Sequence, residues 1–225
     1  MKVHYAVINE AGRRLKNEDY VRVISQAEES RWLGVVCDGL GGHAMGEVAS
    51  ETVCNAVCEY WLRPNNEIPL IKARRACRSA CVKLDERSFG SNFVQMGSTL
   101  VMASMDNDTV TICHCGDSRC YLFRDGQVFH QTRDHVSNSF GWEMVSRCFF
   151  SFKSENAVPD IAQFDLKPGD RILLCSDGLY KSMSPEILKD RMNDDKSPQE
   201  LLDSLALLCE KDGDDNYTAI LAVVE

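Results

Sequence analysis

Residues 35–47 read Val35-Val36-Cys37-Asp38-Gly39-Leu40-Gly41-Gly42-His43-Ala44-Met45-Gly46-Glu47. The apolar run from Trp32 to Cys37 predicts a buried strand that ends at Asp38, and a glycine-rich turn and an amphipathic helix follow it. A carboxylate at a strand end is a common place for chemistry, because the strand aims the side chain and the loop lets a ligand approach. Asp38 and Gly39 are also ordinary turn residues. This stretch alone therefore leaves a functional and a purely structural interpretation open.

Composition narrows the class of protein. The chain has 225 residues, 44% of them hydrophobic and 26% charged, which is typical of one globular domain. Its formal net charge of −9 argues against a nucleic-acid binder and against adhesion to an anionic membrane. No apolar run approaches the roughly 20 residues of a membrane helix, and the first residues lack a signal-peptide core. We therefore expect a cytoplasmic monomer without nucleic-acid or membrane partners.

Eleven cysteines are a high and odd number. Without an export signal, most are expected to be free thiols that act as small buried hydrophobic residues. The pattern Cys-x5-Arg of cysteine-based phosphatases begins at Cys81 and at Cys113, but these lie in a predicted helix and a predicted strand, without a glycine-rich phosphate loop. Cys113-His114-Cys115 could suggest zinc. Strand alternation puts His114 opposite to the cysteines, which favours core packing.

Periodicity predicts a layered α+β domain. The stretch 131–168 has no sustained period, and Asp125-Gly126 is a strong hairpin signal. Hairpin connections predominate, which favours mostly antiparallel sheets with helices outside them. Helices are predicted near 46–62, 67–88, 184–192 and 198–210, and strands near 3–9, 20–24, 32–37, 99–105, 110–115, 119–124, 171–175 and 217–224.

Acidic residues recur at the ends of predicted strands. Carboxylates that converge on one edge repel each other and need a cation, and oxygen ligands select Mg²⁺ or Mn²⁺ rather than zinc. Two such ions ~4 Å apart would activate a bridging water and support an in-line phosphoryl displacement. Arg14 or Arg13 could hold phosphate oxygens. The acidic segments are Glu18-Asp19, Asp38-Gly39, Gly116-Asp117, Asp177-Gly178 and Gly213-Asp214-Asp215-Asn216.

The ordered set of motifs resembles the PPM family of metal-dependent protein serine/threonine phosphatases, the protein phosphatase 2C type, in its bacterial branch. Each motif alone is weak, but the set spans nearly the whole chain in the family's order and spacing. The motifs are Arg14-Leu15-Lys16-Asn17-Glu18-Asp19, the segment from Asp38 to Glu47, Gly97-Ser98-Thr99, Gly116-Asp117-Ser118-Arg119, Thr132-Arg133-Asp134-His135, Ser176-Asp177-Gly178 and Asp215-Asn216-Tyr217-Thr218.

The resemblance implies a metal centre with two Mn²⁺ or Mg²⁺ ions. Asp38 would bridge both ions, and the carbonyl of Gly39 would bind the second. Asp177 and Asp215 would complete the first site, partly through water. Glu18 would lie at the second ion, mostly through water. The implied fold is a four-layer α-β-β-α sandwich of two mostly antiparallel sheets.

Further roles follow from the same resemblance. Arg14 would bind the substrate phosphate and act as a catalytic residue with Asp38. Asp19 and Asn216 would support the ligands from behind. Asp117, with Asp177, would form a third and weaker metal site.

The chain departs from the family pattern in two places. Leu40 stands where some members carry a histidine proposed as general acid, so the proton for the leaving oxygen would come from water or another residue. His43 lies nearby, where a loop or helix cap is expected. The whole chain, 1–225, is expected to form one PPM-type domain, with a short aromatic flap near 136–159. A compact flap is similar to that of phosphatases encoded with type VI secretion systems, where they oppose a kinase.

The expected activity is hydrolysis of phosphoserine and phosphothreonine in proteins by a water that bridges the two metal ions. The expected partners are a phosphorylated protein substrate and a cognate bacterial Ser/Thr kinase. Two alternatives stay open. One is a catalytically silent regulatory module of the same fold, and the other is a two-metal phosphoesterase that acts on small phosphorylated molecules.

Overall fold

The structure, a computed structural model, describes residues 2–26, 28, 30–40, 45–64, 67–139 and 142–225. The glycines at 41 and 42, His43 and Phe140 lie outside the described residues, as does the side chain of Trp142. The predictions made for these residues therefore stay predictions.

Two five-stranded sheets form the centre of the fold, and every strand pair in them is antiparallel. Sheet one has the order β1 (Val3–Glu10), β14 (Tyr217–Val224), β13 (Arg171–Cys175), β7 (Arg119–Arg124) and β8 (Gln127–Gln131). Sheet two has the order β12 (Asp160–Asp165), β6 (Thr109–Cys115), β5 (Leu100–Asp106), β3 (Arg31–Asp38) and β2 (Asp19–Gln26). Two short pairs are β9 (Val136–Ser139) with β10 (Trp142–Val145), and β4 (Gly97–Ser98) with β11 (Phe149–Phe150).

Helices cover the outer face of each sheet. The described helices are α1 (Gly46–Leu62), α2 (Pro69–Gly90), α3 (Asp177–Tyr180), α4 (Pro185–Arg191) and α5 (Pro198–Asp212). Helix α1 packs on β2 and β3 and against α2, whereas α5 packs on β1 and β14. The helix α5 begins with a capping box between Ser197 and Glu200, which satisfies amide groups that the first helical turn leaves free.

The position of strand β3 in the fold explains why its sequence is apolar throughout. Successive side chains of a strand point to opposite faces. Leu33 and Val35 pack in the cluster beneath α1 and α2, whereas Trp32 and Val36 pack in the cluster between the two sheets. Both faces are buried, so no polar alternation is possible. The result is the expected α-β-β-α sandwich, with β3 in an inner layer that delivers Asp38 to the end of the sheet.

The stretch 131–168 holds more structure than its sequence indicates. It contains the β9–β10 hairpin and the edge strand β12, which pairs with β6. Residues of β12 are half-buried or exposed, so the apolar signal of this edge strand is weak. Asp177-Gly178 follows β13 and opens the short helix α3, which the periodicity did not predict.

The predicted hairpin at Asp125-Gly126 is confirmed. It joins β7 to β8, and both residues have positive φ angles, 50° and 73°. The cysteines also follow the prediction, since all eleven are free thiols and all but the half-buried Cys81 are buried.

Candidate metal centre

A cavity of about 560 Å³ opens where the ends of the two sheets meet. It brings together segments that are distant in sequence: the loop before β2, the end of β3, the loop after β6, the start of α3 and the loop before β14. The predicted residues at this cavity are Arg14, Glu18, Asp38, Gly39, Asp117, Asp177, Asp215 and Asn216. Asp19, the remaining predicted site residue, is buried at the first position of β2, paired with Asp38 on β3.

Backbone hydrogen bonds to Thr99 hold Asp38 in place, and Asp38 lines the cavity. Its N–H donates to Thr99 Oγ1 (3.0 Å), and its carbonyl accepts from the Thr99 N–H (2.8 Å). The pKa of Asp38 is raised well above its ordinary value, first by burial and then by the charges of Asp19, Asp177 and Asp117. Like charges disfavour the ionised form of a carboxyl, and a bound cation would favour it.

Asp19 lies behind Asp38. Its Oδ2 accepts a hydrogen bond from Ser176 Oγ (2.7 Å), and Ser176 Oγ in turn accepts from the Thr218 N–H (3.0 Å). The other oxygen of Asp19, Oδ1, is buried and has no hydrogen-bond partner among the residues that the structure describes. Burial is the main cause that raises the pKa of Asp19. A buried carboxylate oxygen without a partner is costly, and a water or ion bound to it would remove that cost.

Position 39 requires a glycine because three chain segments approach each other closely there. Its N–H donates to the carbonyl of Glu18 (3.0 Å). A Cβ at this position would clash with the carbonyl of Gly46 and lie 2.8 Å from the carbonyl of Glu18. The side chain of Glu18 lies beside Gly46 as well, and burial, followed by the nearby Glu47, raises the pKa of Glu18.

Asn216 holds the loop that carries Arg14 and Glu18. Its Nδ2 donates to the carbonyls of Ala11 and Lys16, both at 2.8 Å, and its Oδ1 accepts from the Glu18 N–H at 2.9 Å. The amide thus uses both of its polar atoms on one loop. An aspartate could not donate in this way, which explains the amide chemically.

Arg14 and Asp215 form an ion pair at the rim. Nη2 of Arg14 donates to Oδ2 of Asp215 (3.0 Å), and its Nε donates to the carbonyl of Asp214 (3.1 Å). Both side chains are partly exposed to solvent. The guanidinium is therefore held beside the carboxylates, where a phosphate could share it.

Asp117 and Asp177 share a lysine. Lys181 Nζ lies 2.7 Å from Asp177 Oδ2 and 3.8 Å from Asp117 Oδ2. The pKa of Asp117 is raised to about 6, chiefly by burial and then by the charge of Asp177, while Lys181 acts in the opposite direction. Lys181 was not singled out from the sequence.

Thr99 and Ser176 both stand in the quoted motifs, but neither was predicted to have a role. Their contacts orient Asp38 and Asp19. For Ser176, its place directly before Asp177 was the available signal, but it does not reveal that Ser176 binds Asp19.

Apolar residues line the mouth of the cavity. Leu40, Met144 and Val145 contribute to the lining, so the β9–β10 hairpin overhangs one side. Leu40 approaches Gly97 together with Phe150 of β11, which couples the loop after Asp38 to the segment that follows the hairpin. The Leu40 N–H donates to the carbonyl of Gly97 (3.0 Å). Leu40 offers no group that could donate a proton.

The donor set fits divalent ions. Arg14 pairs with Asp215, and Lys181 pairs with Asp177 and Asp117. Asp38 and Asp19 have no ion pair within the described ranges, although burial and mutual repulsion raise the pKa of each. Oxygen ligands with surplus negative charge are what Mg²⁺ and Mn²⁺ select.

Comparison with known proteins agrees with this geometry. The family described as Protein phosphatase 2C matches residues 10–221, and the chain therefore belongs to that family. Serine/threonine protein phosphatase PstP of Mycobacterium tuberculosis is 28% identical over 239 residues, a match that covers 99% of this chain and 45% of PstP. The chain thus spans about half the length of that curated relative.

Two solved structures extend the comparison. The catalytic domain of PstP in complex with two manganese ions has a TM-score of 0.83 and 28% identity, with 99% of each chain covered. PppA, a key regulatory component of T6SS in Pseudomonas aeruginosa, has a TM-score of 0.83 and 26% identity, and covers 100% of this chain and 99% of its own. The four-layer phosphatase fold is thereby confirmed.

Proposed function

We propose that this chain is a metal-dependent phosphatase of phosphoserine and phosphothreonine in proteins. The observation that carries the proposal is Asp38, a carboxylate that lines the cavity, is surrounded by like charges and has no ion pair among the residues that the structure describes. Membership of the family and the two manganese ions in the PstP complex support the same activity.

The proposed metal ligands are Asp38, the Gly39 carbonyl, Asp177, Asp215 and Glu18. When bound, Mn²⁺ or Mg²⁺ supplies Lewis-acid chemistry, which activates water and offsets phosphate charge. The protein's own contribution is to hold the ligands in place through contacts that reach across the sequence.

Substrate phosphate would be held by Arg14. Its guanidinium already lies at the rim beside Asp215, and a fork of N–H donors suits phosphate oxygens. At the position where some family members carry a histidine proposed as general acid, Leu40 has no side-chain proton to donate. We infer that the leaving oxygen takes its proton from solvent, which reaches the cavity freely at its mouth.

Access and partners are further parts of the proposal. The β9–β10 hairpin would serve as the flap of a single domain, 1–225, and Met144 on it is 58% exposed at the cavity mouth. A cognate bacterial Ser/Thr kinase would supply the phosphoprotein, and the likeness to PppA supports a role beside a type VI secretion system. No helix in the described part of the chain is long and apolar enough to span a bilayer.

The decisive experiment measures hydrolysis of a phosphothreonine peptide with Mn²⁺, with EDTA, and with the variant Asp38→Asn. Wild type should release phosphate only with the metal, and the variant should be inactive. Asp190→Asn, an exposed aspartate on α4, is the matched control and should keep wild-type activity. Activity of Asp38→Asn in EDTA would contradict the proposal. Faster hydrolysis of a nucleotide than of the peptide would favour a small-molecule phosphoesterase, and no hydrolysis of either would favour a silent module.

A further inference from the structure

Lys181, the C-cap residue of α3, reaches the predicted metal centre. It stands four residues after Asp177, one helical turn further on, so its side chain lies over that carboxylate. Its Nζ is 2.7 Å from Asp177 Oδ2 and 3.8 Å from Asp117 Oδ2. The neighbouring Tyr180 is buried, and its hydroxyl donates to the Asp117 carbonyl (3.2 Å), which fixes the backbone at both ends of the contact.

We propose that Lys181 is a resident cation that competes with a third metal ion at Asp117 and Asp177. The inference rests on the proposed metal centre and adds a residue to it. The two tight ions would bind elsewhere in the cavity, at Asp38 and its neighbours. A third ion would bind weakly because it must first displace the ammonium.

The competition has a simple physical basis. An ammonium and a divalent ion that share one carboxylate pair repel each other strongly at a few ångströms. The lysine is tethered, so its effective concentration at the pair is high. Its side chain is 54% exposed, which leaves room for it to swing into solvent when the metal concentration is high.

The test counts bound Mn²⁺ from the spin-resonance signal of free Mn²⁺ during titration. Wild type should bind two ions tightly and a third weakly. Lys181→Met keeps the aliphatic stem without the charge, and its third ion should bind at least about tenfold more tightly. Lys181→Arg should stay weak, and Lys189→Met on α4 should match wild type.

Two results would overturn the inference. Equal third-ion affinity in Lys181→Met and wild type would show that the lysine does not compete. If the two tight ions are missing from every variant, the metal centre itself is wrong, and the inference falls with it. Far-ultraviolet circular dichroism verifies that each variant is folded.

The outer face of α2 carries a second and independent observation. Its exposed stripe combines arginines with large apolar side chains at helical spacing. Phe89 is 65% exposed and Val82 51% exposed. Helix α2 has six cationic and two anionic residues, a net charge of +4, in a chain of net charge −9. The stripe, here called the α2 stripe, consists of Ile71, Arg74, Arg75, Arg78, Val82 and Phe89.

Only some of the charged side chains of the α2 stripe form ion pairs within the protein. Arg75 pairs with Glu67. The structure gives no ion pair or hydrogen bond to Arg74 or Arg78 in the ranges it describes. Of the acidic residues on α2, Glu86 pairs with Lys83 and Asp85 accepts from the Phe152 N–H. The net charge that remains on this face is therefore positive.

Two further aromatic rings extend the stripe beyond the end of α2. Phe89 lies 5.0 Å from Phe93, and Phe93 lies 6.0 Å from Phe152, measured between ring centroids. Phe93 and Phe152 have φ angles of 60° and 61°, a conformation that costs a bulky residue energy. The backbone thus bears strain while it holds exposed rings on the surface.

We infer that the α2 stripe, with Phe93 and Phe152, docks an acidic amphipathic helix of a partner protein. Apolar residues on one face of such a helix would cover the phenylalanines, and its Asp and Glu side chains would pair with Arg74 and Arg78. A helix can place its acidic side chains opposite Arg74 and Arg78 alone and its apolar side chains opposite the phenylalanines, whereas an anionic bilayer would also face Asp85 and Glu86 at the aromatic end of the surface.

The test selects a phage-displayed library of random 16-residue peptides on wild type. Phage that also bind the variant Arg74→Glu/Arg78→Glu/Phe89→Ser are then removed from the selected pool. The expected winners carry Asp or Glu together with Leu, Ile or Phe at helical spacing, and lose at least about tenfold affinity for the variant. A matched control, Lys189→Glu/Lys196→Glu/Leu207→Ser on the opposite helical layer, should bind them like wild type.

Three results would overturn this inference. Winners without acidic residues, or winners that bind the variant equally well, would remove charge as the basis of docking. Binding of wild type, but not of the variant, to vesicles with 30% phosphatidylserine, without any enriched peptide, would make the surface a membrane contact. Hydrolysis of p-nitrophenyl phosphate with Mn²⁺ reports separately on the proposed function.

Discussion

Two groups of potential metal ligands differ in how their lone pairs are used. His114, His135 and Asp160 each bring one ligand atom within 4.8 Å of the others. His135 Nδ1 accepts from the Gly116 N–H (3.2 Å), so its Nε2 carries the proton and donates to Asp160 Oδ2 (3.0 Å). His114 Nε2 donates to the Arg133 carbonyl (2.9 Å).

The acidic cavity shows the opposite condition. Asp38 and Asp19 are crowded by like charges, and Asp19 Oδ1 has no partner within the described residues. In the histidine group, Arg147 Nη1 donates to Asp160 Oδ1 (2.9 Å), and hydrogen bonding to that arginine lowers the pKa of Asp160 to about 2. Proximity alone therefore does not define a metal site. Charge that the protein leaves unbalanced is the better criterion.

The largest expected effect separates these groups by activity. Asp38→Asn removes a proposed metal ligand, so kcat/KM on a phosphothreonine peptide should fall at least about 10²-fold, as for loss of a preorganised electrostatic group. Asp160→Asn removes a carboxylate that only holds His135 and Arg147, and it should cost less than about tenfold. Steady-state kinetics with saturating Mn²⁺ measures both.

Equal losses in the two variants would erase the distinction. Thermal unfolding in EDTA provides the control for folding. Asp38→Asn should melt at or above the wild-type temperature, because it removes a repelled buried charge.

In the metal-free protein, the contributions of the two groups to stability should change with pH in opposite directions. Asp117 has a pKa of about 6 in the folded protein against an ordinary 3.8, so the folded state binds more protons between these values. The contribution of Asp117 to stability is therefore fully present below pH ~4 and is lost as pH rises through about 6, by about 3 kcal/mol. In EDTA, Asp117→Asn should gain on wild type by that amount between pH 4 and 7, as urea unfolding can measure.

Saturating Mn²⁺ provides the contrast for this experiment. The metal favours the ionised carboxylate, so wild type should then gain stability as pH rises from 5 to 7. A stability difference between Asp117→Asn and wild type that stays flat from pH 4 to 7 in EDTA would contradict the assignment.

The inner strands and long helices could be predicted because each carries a strong local pattern. Strand β3 is apolar on both faces since it lies between two buried layers, and α1 has the predicted bounds 46–62. Strand β12 could not be predicted, because an edge strand with half-exposed residues has little apolar contrast. The β9–β10 hairpin is short and lies at a cavity mouth, where neither period is imposed by burial.

The candidate site divides in the same way. Asp38 and Asp177 follow buried strands, so their positions could be predicted from local sequence. Ser176 contacts Asp19 across 157 residues of sequence, and Asp38 contacts Thr99 across 61. No local pattern encodes such contacts. The role of Lys181 likewise depends on Asp117, which approaches only in the folded chain.

The smallest expected effect concerns the stability of the histidine group. Asp160 has a lowered pKa, so it stabilises the folded state above pH ~4, and this contribution is lost as pH falls through about 2. Its side chain is 53% exposed, and solvent screening reduces the contribution to about 1 kcal/mol. Asp160→Asn should therefore lower the free energy of unfolding by that amount at pH 7. Asp165→Asn on the same strand should change it by less than about 0.5 kcal/mol. Urea unfolding of both variants measures the difference, and a loss in Asp165→Asn as large as that in Asp160→Asn would mean that the bonds to His135 and Arg147 add nothing.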